Sequence, residues 1–261
     1  RGVTAEQIDA GRDIGEGFRL GSAMLTVRFE RLGPVAGRQV LDLVAGFGRH
    51  TFELARRGAR VTAVDVTLRP LTELRARMRA MAVIGDVDTT DVALVANCVA
   101  ERLPFRDDAF DSVVATEVLE HIVDHEAAAA EIARVVRPGG RVVISVPSWW
   151  PERINWMLAD EYPAPAQEGG HVRVYRRSEL VDLLAGAGIQ VTDSHRAHAA
   201  HTPYWWLRCA FGLDRVDHPA VRAYRRGLER YETSGSWVAA ERAADPVFGK
   251  SLVVYGRRSS A

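Results

Sequence analysis

The chain contains few of the residues that mark several protein classes. Only two of its 261 residues are cysteines, Cys98 and Cys209, and they lie far apart in the sequence. This number and spacing argue against a disulfide framework, a zinc site of paired cysteines and a CxxC redox motif. We therefore expect a reduced, cytoplasmic protein.

Long hydrophobic runs and an excess of charge of one sign are also missing. No apolar run reaches the roughly 18 residues of a membrane span. Lys and Arg together number 34, as do Asp and Glu, so the formal net charge is zero. A balanced chain without a basic patch is a poor match for nucleic acid or an anionic membrane. A small molecule is the expected partner of a chain that we expect to be a monomer or a homodimer.

The sequence does have short runs rich in Val, Ile, Leu and Ala that alternate with helical patterns. Such runs are typical of strands buried on both faces of a parallel sheet. The alternation predicts an α/β fold with a Rossmann-like, doubly wound sheet. Asp124 and Ser178 are the expected N-caps of two of the helices. The predicted strands are 38–45, 59–66, 91–98, 110–117, 140–147, 189–195 and 250–256.

Two insertions break this alternation. We expect a single domain, 1–261, with a helical segment at 1–37, a core at about 38–147, 176–195 and 250–257, and insertions at 148–175 and 196–249. Aromatic residues concentrated outside the sheet indicate either a cap or lid over an active site or a small core of their own. All six tryptophans lie in the insertions: Trp149, Trp150, Trp156, Trp205, Trp206 and Trp237.

The loop after the first strand reads "LDLVAGFGRH" (41–50) and contains Gly46 and Gly48. Glycines that lead into a helix allow a nucleotide cofactor to approach the backbone, and Asp65 at the end of the second strand can accept ribose hydroxyls. A dinucleotide fold would need a third glycine at Thr51, and its diphosphate would pass near Asp42. S-adenosylmethionine fits better, because it carries a positive sulfonium and an ammonium group that Asp42 would attract.

Four stretches extend this pattern: "VLDLVAGFGRH", "VTAVD", "AERLPFRDDAFDSVVATEVLEHI" and "VRPGGRVVISVPSW". In this order they resemble the class I S-adenosylmethionine-dependent methyltransferases of the ubiquinone/menaquinone-type, or methyltransferase 11, group. The resemblance implies a seven-stranded sheet with an antiparallel last strand. It also implies these cofactor-binding residues: Asp42, Ala45, Gly46, Gly48, Asp65, Val66, Ala100, Glu101, Thr116 and Glu117.

The chain departs from the family pattern at two positions. Val44 stands where the DxGxGxG loop has its first glycine, and Val99 stands where an aspartate usually bonds the adenine amino group. We expect Val44 to keep a negative φ, with the first strand one residue longer than usual. The missing hydrogen bond at Val99 would cost about 1 kcal/mol of affinity. A cofactor-binding protein without transferase activity is therefore the alternative to a methyltransferase.

The stretch "TEVLEHIVDH" follows the fourth strand, where one turn could gather Glu117, Glu120 and His121. His121 is the preferred base, with Glu120 and His171 as further catalytic candidates, for O-methylation of a hydrophobic, aromatic or glycosylated natural product. Resemblance to metal-assisted O-methyltransferases of ubiquinone biosynthesis implies a divalent, Mg²⁺-type site. Its ligands would be Glu117, Glu120, His121 and His171.

The alternative is that the glutamates cap the following helix without a metal. A further histidine series, His195, His198 and His201, has no standard zinc spacing. We expect its members to be partly solvated loop or rim residues.

Overall fold

The computed structural model describes residues 25–87, 92–96, 98–162, 170–232 and 237–260. Most of the predicted N-terminal helical segment lies outside these residues, and the described part of it contains one short helix, α1 (Phe29–Leu32). Among the helices of the described ranges, none is long and apolar enough to cross a bilayer.

Seven strands form one sheet in the order β3-β2-β1-β4-β5-β7-β6. Strands β1 to β5 pair in parallel. The last strand is antiparallel to β6, since Thr192 Oγ1 donates to the carbonyl of Tyr255 and the Ser259 amide to that of Gly188. The predicted doubly wound α/β fold with an antiparallel last strand is confirmed. The strands are β1 (Gln39–Leu43), β2 (Arg60–Asp65), β3 (Val92–Ala96), β4 (Phe110–Thr116), β5 (Val136–Pro147), β6 (Ile189–Ala197) and β7 (Ser251–Arg258).

Helices lie between the strands where the sequence predicts them. The N-cap prediction for Asp124 is confirmed, because its carboxylate accepts a hydrogen bond from the Ala127 amide at 3.0 Å. The N-cap prediction for Ser178 is wrong, since the helix already begins at Arg177 and Ser178 lies inside its first turn. The helices are α2 (Arg49–Arg56), α3 (Leu68–Val83), α4 (His125–Val135), α5 (Trp149–Leu158), α6 (Arg177–Gly186), α7 (His201–Phe211), α8 (Pro219–Glu232) and α9 (Trp237–Phe248).

The chain forms two compact units. The first, called the sheet unit, comprises the described residues within 27–145, 178–194 and 254–261. In its core, Phe52 of α2 and Leu74 of α3 pack with Ala63 of β2, which holds the helices that flank the first two strands. Burial of such apolar side chains fixes the carboxyl ends of the strands, where ligands bind in open α/β sheets.

The second, called the helical unit, comprises the described residues within 1–26, 146–177 and 195–253. It has a core of its own that the aromatic residues of the two insertions help to build. Of the two interpretations of these aromatics, the structure therefore shows a separate core, and the lid stays a prediction. The buried residues of this core are Ala159, Tyr162, Tyr204, Trp205, Cys209, Val221 and Leu228.

One ion pair holds the loop after β3, which contains two predicted cofactor residues. Glu131 on α4 accepts hydrogen bonds from Arg134 Nε at 2.6 Å and from the Leu103 amide at 2.7 Å. The same guanidinium donates from Nη1 to the Phe105 carbonyl at 2.8 Å and from Nη2 to the Leu103 carbonyl at 3.1 Å. Hydrogen bonds from Arg134 hold the pKa of Glu131 below its ordinary value. The planar fork of an arginine satisfies these acceptors together.

Replacing Arg134 by Lys should lower the free energy of unfolding by about 1–3 kcal/mol, because a single ammonium cannot reach both carbonyls and the carboxylate. Urea denaturation at pH 7 measures the change. Arg77→Lys is the control, since Arg77 lies on the surface of α3 with its guanidinium 3.9 Å from Glu73, and it should change stability by less than about 0.5 kcal/mol. Equal losses in both variants would contradict this account.

Candidate functional site

The loop between β1 and α2 is a tight turn at the carboxyl end of the sheet. The Ala45 amide donates to the Val64 carbonyl of β2 at 2.8 Å, and the Gly48 amide donates to the Ala45 carbonyl at 3.0 Å. Gly48 has φ 90°, and a Cβ there would meet Leu74 at 2.8 Å. Gly46 has φ 54°, and a Cβ there would meet no atom of the described residues within 4 Å. The turn thus needs Gly48 for packing and leaves open space beside Gly46 for a ligand.

Val44 adopts a left-handed backbone conformation, which glycine tolerates better than valine. Its φ is +58°, and β1 ends at Leu43, so the prediction of a negative φ and a longer strand is wrong. The Ala45 amide is bonded to β2, and the Ala45 carbonyl closes the turn with the Gly48 amide. These two bonds prevent the extended strand conformation from continuing through Val44. A left-handed conformation at a β-branched residue costs at least about 1–2 kcal/mol, so the loop keeps its shape under strain.

Asp42 is a buried carboxylate beneath this loop. Its side chain accepts a hydrogen bond from Thr51 Oγ1 at 2.6 Å and is 1% exposed. Burial raises its pKa from 3.8 to about 6, although Thr51 and the nearby Arg49 oppose the shift. Thr51 stands where a dinucleotide fold would have its third glycine, and the contact shows why a hydroxyl is useful there.

Asp65 holds the glycine turn from the end of β2. Its carboxylate accepts hydrogen bonds from the Gly46 amide at 3.0 Å, and from the amide and hydroxyl of Thr67, each at 3.0 Å. Each carboxylate oxygen has more than one lone pair, so these bonds leave acceptor capacity for ribose hydroxyls. Asp65 therefore serves the loop itself in addition to its predicted role toward a cofactor.

The remaining predicted cofactor residues of the sheet unit differ in exposure. Ala100 is buried and Glu101 half-buried, whereas Val66 and Val99 are exposed beside the ends of their strands. Val99 is 47% exposed and offers no polar side chain for adenine.

Thr116, at the end of β4, has a partner that sequence reasoning missed. Its hydroxyl lies 3.3 Å from Nδ1 of the buried His50, which closes the stretch "GFGRH" and lies in the first turn of α2. Burial, together with Arg49, holds the pKa of His50 well below its ordinary value. His50 is therefore a neutral imidazole that links the first turn of α2 to the end of β4. The sequence signal that could have identified it is its position two residues after Gly48.

The three predicted ligands after β4 lie in different surroundings. Glu117 has φ 55°, and its carboxylate accepts a hydrogen bond from Ser145 Oγ at 2.8 Å. Glu120 is fully buried in a 3₁₀ turn (Leu119–His121), with Oε1 3.8 Å from His121 Nε2. Glu117 belongs to none of the clusters of three or more possible ligand atoms in the described ranges. Glu117 is bonded to β5 through Ser145, and the grouping of all three side chains by one turn stays a prediction.

His171 lies in the helical unit, where it contacts a buried acid that sequence reasoning missed. Its Nδ1 forms a short hydrogen bond with Oε1 of Glu152 on α5. Glu152 also accepts from Trp156 Nε1 at 3.2 Å and from Asn155 Nδ2 at 3.1 Å. Burial would raise the pKa of Glu152, but His171 and Lys250 outweigh it and hold that pKa below its ordinary value. Glu152 is thus an ionised buried acceptor, and Nδ1 of His171 must be the donor.

The charges at the carboxyl end of the sheet indicate which kind of cofactor fits. Asp42 and Asp65 are buried under a glycine turn that offers open space to a ligand. A diphosphate would be repelled there, whereas a ligand with positive groups and a ribose would be attracted. The fold and this loop define a Rossmann-like protein whose cofactor loop suits S-adenosylmethionine.

Comparison with known proteins agrees with this class. A family model described as "Methyltransferase domain" matches residues 41–144. The ubiquinone biosynthesis O-methyltransferase of Aeromonas salmonicida is 32% identical over 175 residues, which cover 66% of this chain and 71% of that protein. The chain belongs to the class I S-adenosylmethionine-dependent methyltransferases of the ubiquinone/menaquinone-type group.

Other similarities either cover less of the chain or are lower in sequence identity. The demethylmenaquinone methyltransferase of Mycolicibacterium paratuberculosis is 42% identical over 113 residues, 43% of each chain, so this chain spans less than half the length of that relative. The crystal structure of the [4+2]-cyclase SpnF has a TM-score of 0.59 with 20% identity, over 89% of this chain and 79% of that one. At this identity, the likeness concerns the fold alone.

Replacing Val44 by Gly should raise the free energy of unfolding by about 1 kcal/mol. The left-handed strain is removed, and the added freedom of glycine in the unfolded chain offsets part of the gain. Urea denaturation measures the change. Val44→Ala is the matched control, because it keeps a Cβ at a φ of +58°. If the Ala variant gained as much as the Gly variant, side-chain packing rather than backbone strain would explain the result.

Replacing Asp42 by Asn should stabilise the protein at high pH. A folded-state pKa of about 6 against 3.8 means that stability is fully present below pH 3.8 and is lost as pH rises through 6. The ionised form costs up to about 3 kcal/mol. We expect Asp42→Asn to raise the free energy of unfolding by about 1–3 kcal/mol at pH 8 and by less at pH 5.

The same variant should bind S-adenosylhomocysteine at least tenfold more weakly, because a carboxylate that attracts the ammonium group is lost. Isothermal titration calorimetry measures the affinity. Asp86→Asn is the control, since Asp86 forms a surface ion pair with Arg56. A stability gain that is independent of pH, or unchanged affinity, would contradict the role given to Asp42.

Proposed function

We propose that this chain transfers the methyl group of S-adenosylmethionine to an oxygen atom of a hydrophobic, aromatic small molecule. The observation that carries the proposal is the pair of buried carboxylates, Asp42 and Asp65, beneath the Gly46 turn. When bound, the cofactor supplies an electrophilic methyl group on its sulfonium. The residues of the chain would bind it, orient it and exclude water.

A quinone-type acceptor is the first choice within this class. One relative is named for demethylmenaquinone and another for O-methylation in ubiquinone biosynthesis. The second similarity extends over the larger part of this chain, which favours oxygen as the acceptor atom. Other aromatic or glycosylated natural products form the second tier of acceptors.

Methylation of a hydroxyl releases a proton, and we propose His171 as the group that takes it. Its Nδ1 contacts Glu152, so Nε2 is the nitrogen that would take this proton. The ionised Glu152 would stabilise the imidazolium and fix the ring, as an acid does for a histidine base in other enzymes. Glu120 and His121 remain catalytic candidates of the sheet unit.

A divalent metal that activates the acceptor hydroxyl is the alternative to a histidine base. A histidine that donates Nδ1 to a carboxylate can also present Nε2 to a metal, so the Glu152 contact of His171 suits either role. The hydrogen bond between Glu117 and Ser145 argues against Glu117 as a member of the predicted four-residue ligand set. Of the predicted set, Glu120 and His121 would then bind the ion together with water, and His171 stays a predicted ligand.

The test is transfer of a labelled methyl group to a panel of hydroxylated quinones and catechols. His171→Gln should lower kcat by about 10²–10⁴-fold, the usual contribution of a general base. Glu152→Gln should lower kcat less, because it acts through His171. Affinity for S-adenosylhomocysteine should stay unchanged in both variants. Glu161→Gln, at an exposed acid of the same unit, is the control.

Three outcomes of this assay decide between these hypotheses. Full turnover in His171→Gln would contradict the base. Loss of turnover after dialysis against EDTA, with recovery on adding Mg²⁺, would favour the metal arrangement, and unchanged turnover would exclude it. Binding of S-adenosylhomocysteine without transfer to any acceptor would favour the alternative of a cofactor-binding protein without transferase activity.

A further inference from the structure

A second group of possible metal ligands lies wholly within the helical unit. His198, His201 and Glu241 each offer one ligand atom, and these atoms all lie within 4.8 Å of one another. His198 is in the loop after β6, His201 begins α7, and Glu241 is on α9. Since about 40 residues separate the histidines from the glutamate, folding of the unit, and not local sequence, brings the three together.

Both histidines are buried, which contradicts the expectation of partly solvated rim residues. His198 is 9% exposed and His201 is 5% exposed. Their ring centroids are 5.6 Å apart, and the ring planes are inclined at 79°. Two buried imidazoles next to a carboxylate form a donor set that suits transition metals better than it suits Mg²⁺ or Ca²⁺.

Neighbouring groups hold the ligand side chains in place. Thr26 Oγ1 lies 3.1 Å from Nε2 of His198 and helps to orient that ring. The Ala200 amide donates to Oε1 of Glu241 at 3.3 Å, and the Ala199 amide donates to the buried Asp245, one turn further along α9, at 3.1 Å. The backbone between the two histidines therefore fixes the register of the helix that carries Glu241.

The backbone at His198 is also strained. Its φ of +65° is uncommon for a residue with a side chain and costs on the order of 1–3 kcal/mol. Such conformations persist where the surrounding structure fixes them, and they occur often at ligand sites. The His198 ring contacts both Thr26 and the His201 ring.

We propose that His198, His201 and Glu241 bind one Zn²⁺ ion that joins the loop after β6 and the start of α7 to α9. Two imidazole nitrogens and one carboxylate oxygen supply three positions of a tetrahedral site, and water takes the fourth. The ion neutralises the charge of Glu241 and closes a chain segment of about 40 residues. This site shares no residue with the Glu117, Glu120, His121 and His171 set, and it is independent of methyl transfer.

The test uses the full chain, stripped of metal by a chelator, with Zn²⁺ and Co²⁺ as probes. We expect one Zn²⁺ per chain, with a dissociation constant below about 1 μM and a Tm that rises with Zn²⁺ concentration. Co²⁺ should give the visible absorption bands of a four-coordinate site. Binding weaker than about 100 μM, or a Tm that does not respond to Zn²⁺, would overturn the proposal.

Variants assign the ion to its ligands. His201→Gln and Glu241→Gln should each weaken Zn²⁺ binding by at least a hundredfold, and Thr26→Val should weaken it about tenfold by freeing the His198 ring. His218→Gln is the matched control, because His218 stacks on Phe211 in the same unit and lies outside the cluster. It should bind Zn²⁺ like the unmodified chain.

Circular dichroism and affinity for S-adenosylhomocysteine check that each variant is folded. If His201→Gln fails this check, Glu241→Gln carries the test, because Glu241 is only half-buried. Zn²⁺ affinity that is unchanged in a folded Glu241→Gln variant would overturn the proposal. The same holds if binding is lost in His121→Gln, since the ion would then belong to the other ligand set.

Discussion

The buried negative charge at the carboxyl ends of β1 and β2 is the constraint on which the sheet unit depends. Asp42 ties the start of α2 to β1 through Thr51, and Asp65 holds the glycine turn through the Gly46 amide. The position of Asp42 is not one that folding alone would favour, as its raised pKa indicates. A ligand with positive charge relieves this cost, so the arrangement that weakens the fold is the one that selects the cofactor.

Most of the sheet unit could be predicted from the sequence, because its signals are local. Each strand is one apolar run, and the cofactor loop, Asp65 and the helix that follows lie within about 45 residues. The error at Val44 has a different origin. A β-branched residue by itself favours negative φ. At Val44, however, the chain must enter the turn while the next residue, Ala45, donates its amide to the Val64 carbonyl, and Val44 takes the left-handed conformation. Tertiary pairing overrides the local preference there.

The groups of the helical unit could not be predicted in the same way, since their partners are distant in sequence. Glu152 lies in an aromatic stretch without a chemical motif, and only the fold pairs it with His171, 19 residues later. The histidine series was visible, but its spacing gave no indication of Glu241. Residues 199–202, which lie beside these histidines, bond to Glu241, Asp245 and Phe248 of α9. The spacing of the histidines gives no sign of these distant partners.

Strain and buried charge are concentrated at a few positions, and this distribution has a functional logic. Val44 and Glu117 have positive φ directly after the paired strands β1 and β4, and His198 has it after β6. A conformation that costs free energy is kept only where neighbouring elements fix it, so the rest of each unit must be stable enough to offset that cost. The regular sheet of one unit and the aromatic core of the other supply that stability. Of the non-glycine residues with positive φ in the described ranges, Val44, Glu117 and His198 belong to or adjoin the predicted and proposed sites, whereas Asp108 does not. The glycine turn has lost a glycine at Val44 and keeps its shape, so strain at this position adds information that the motif alone does not give.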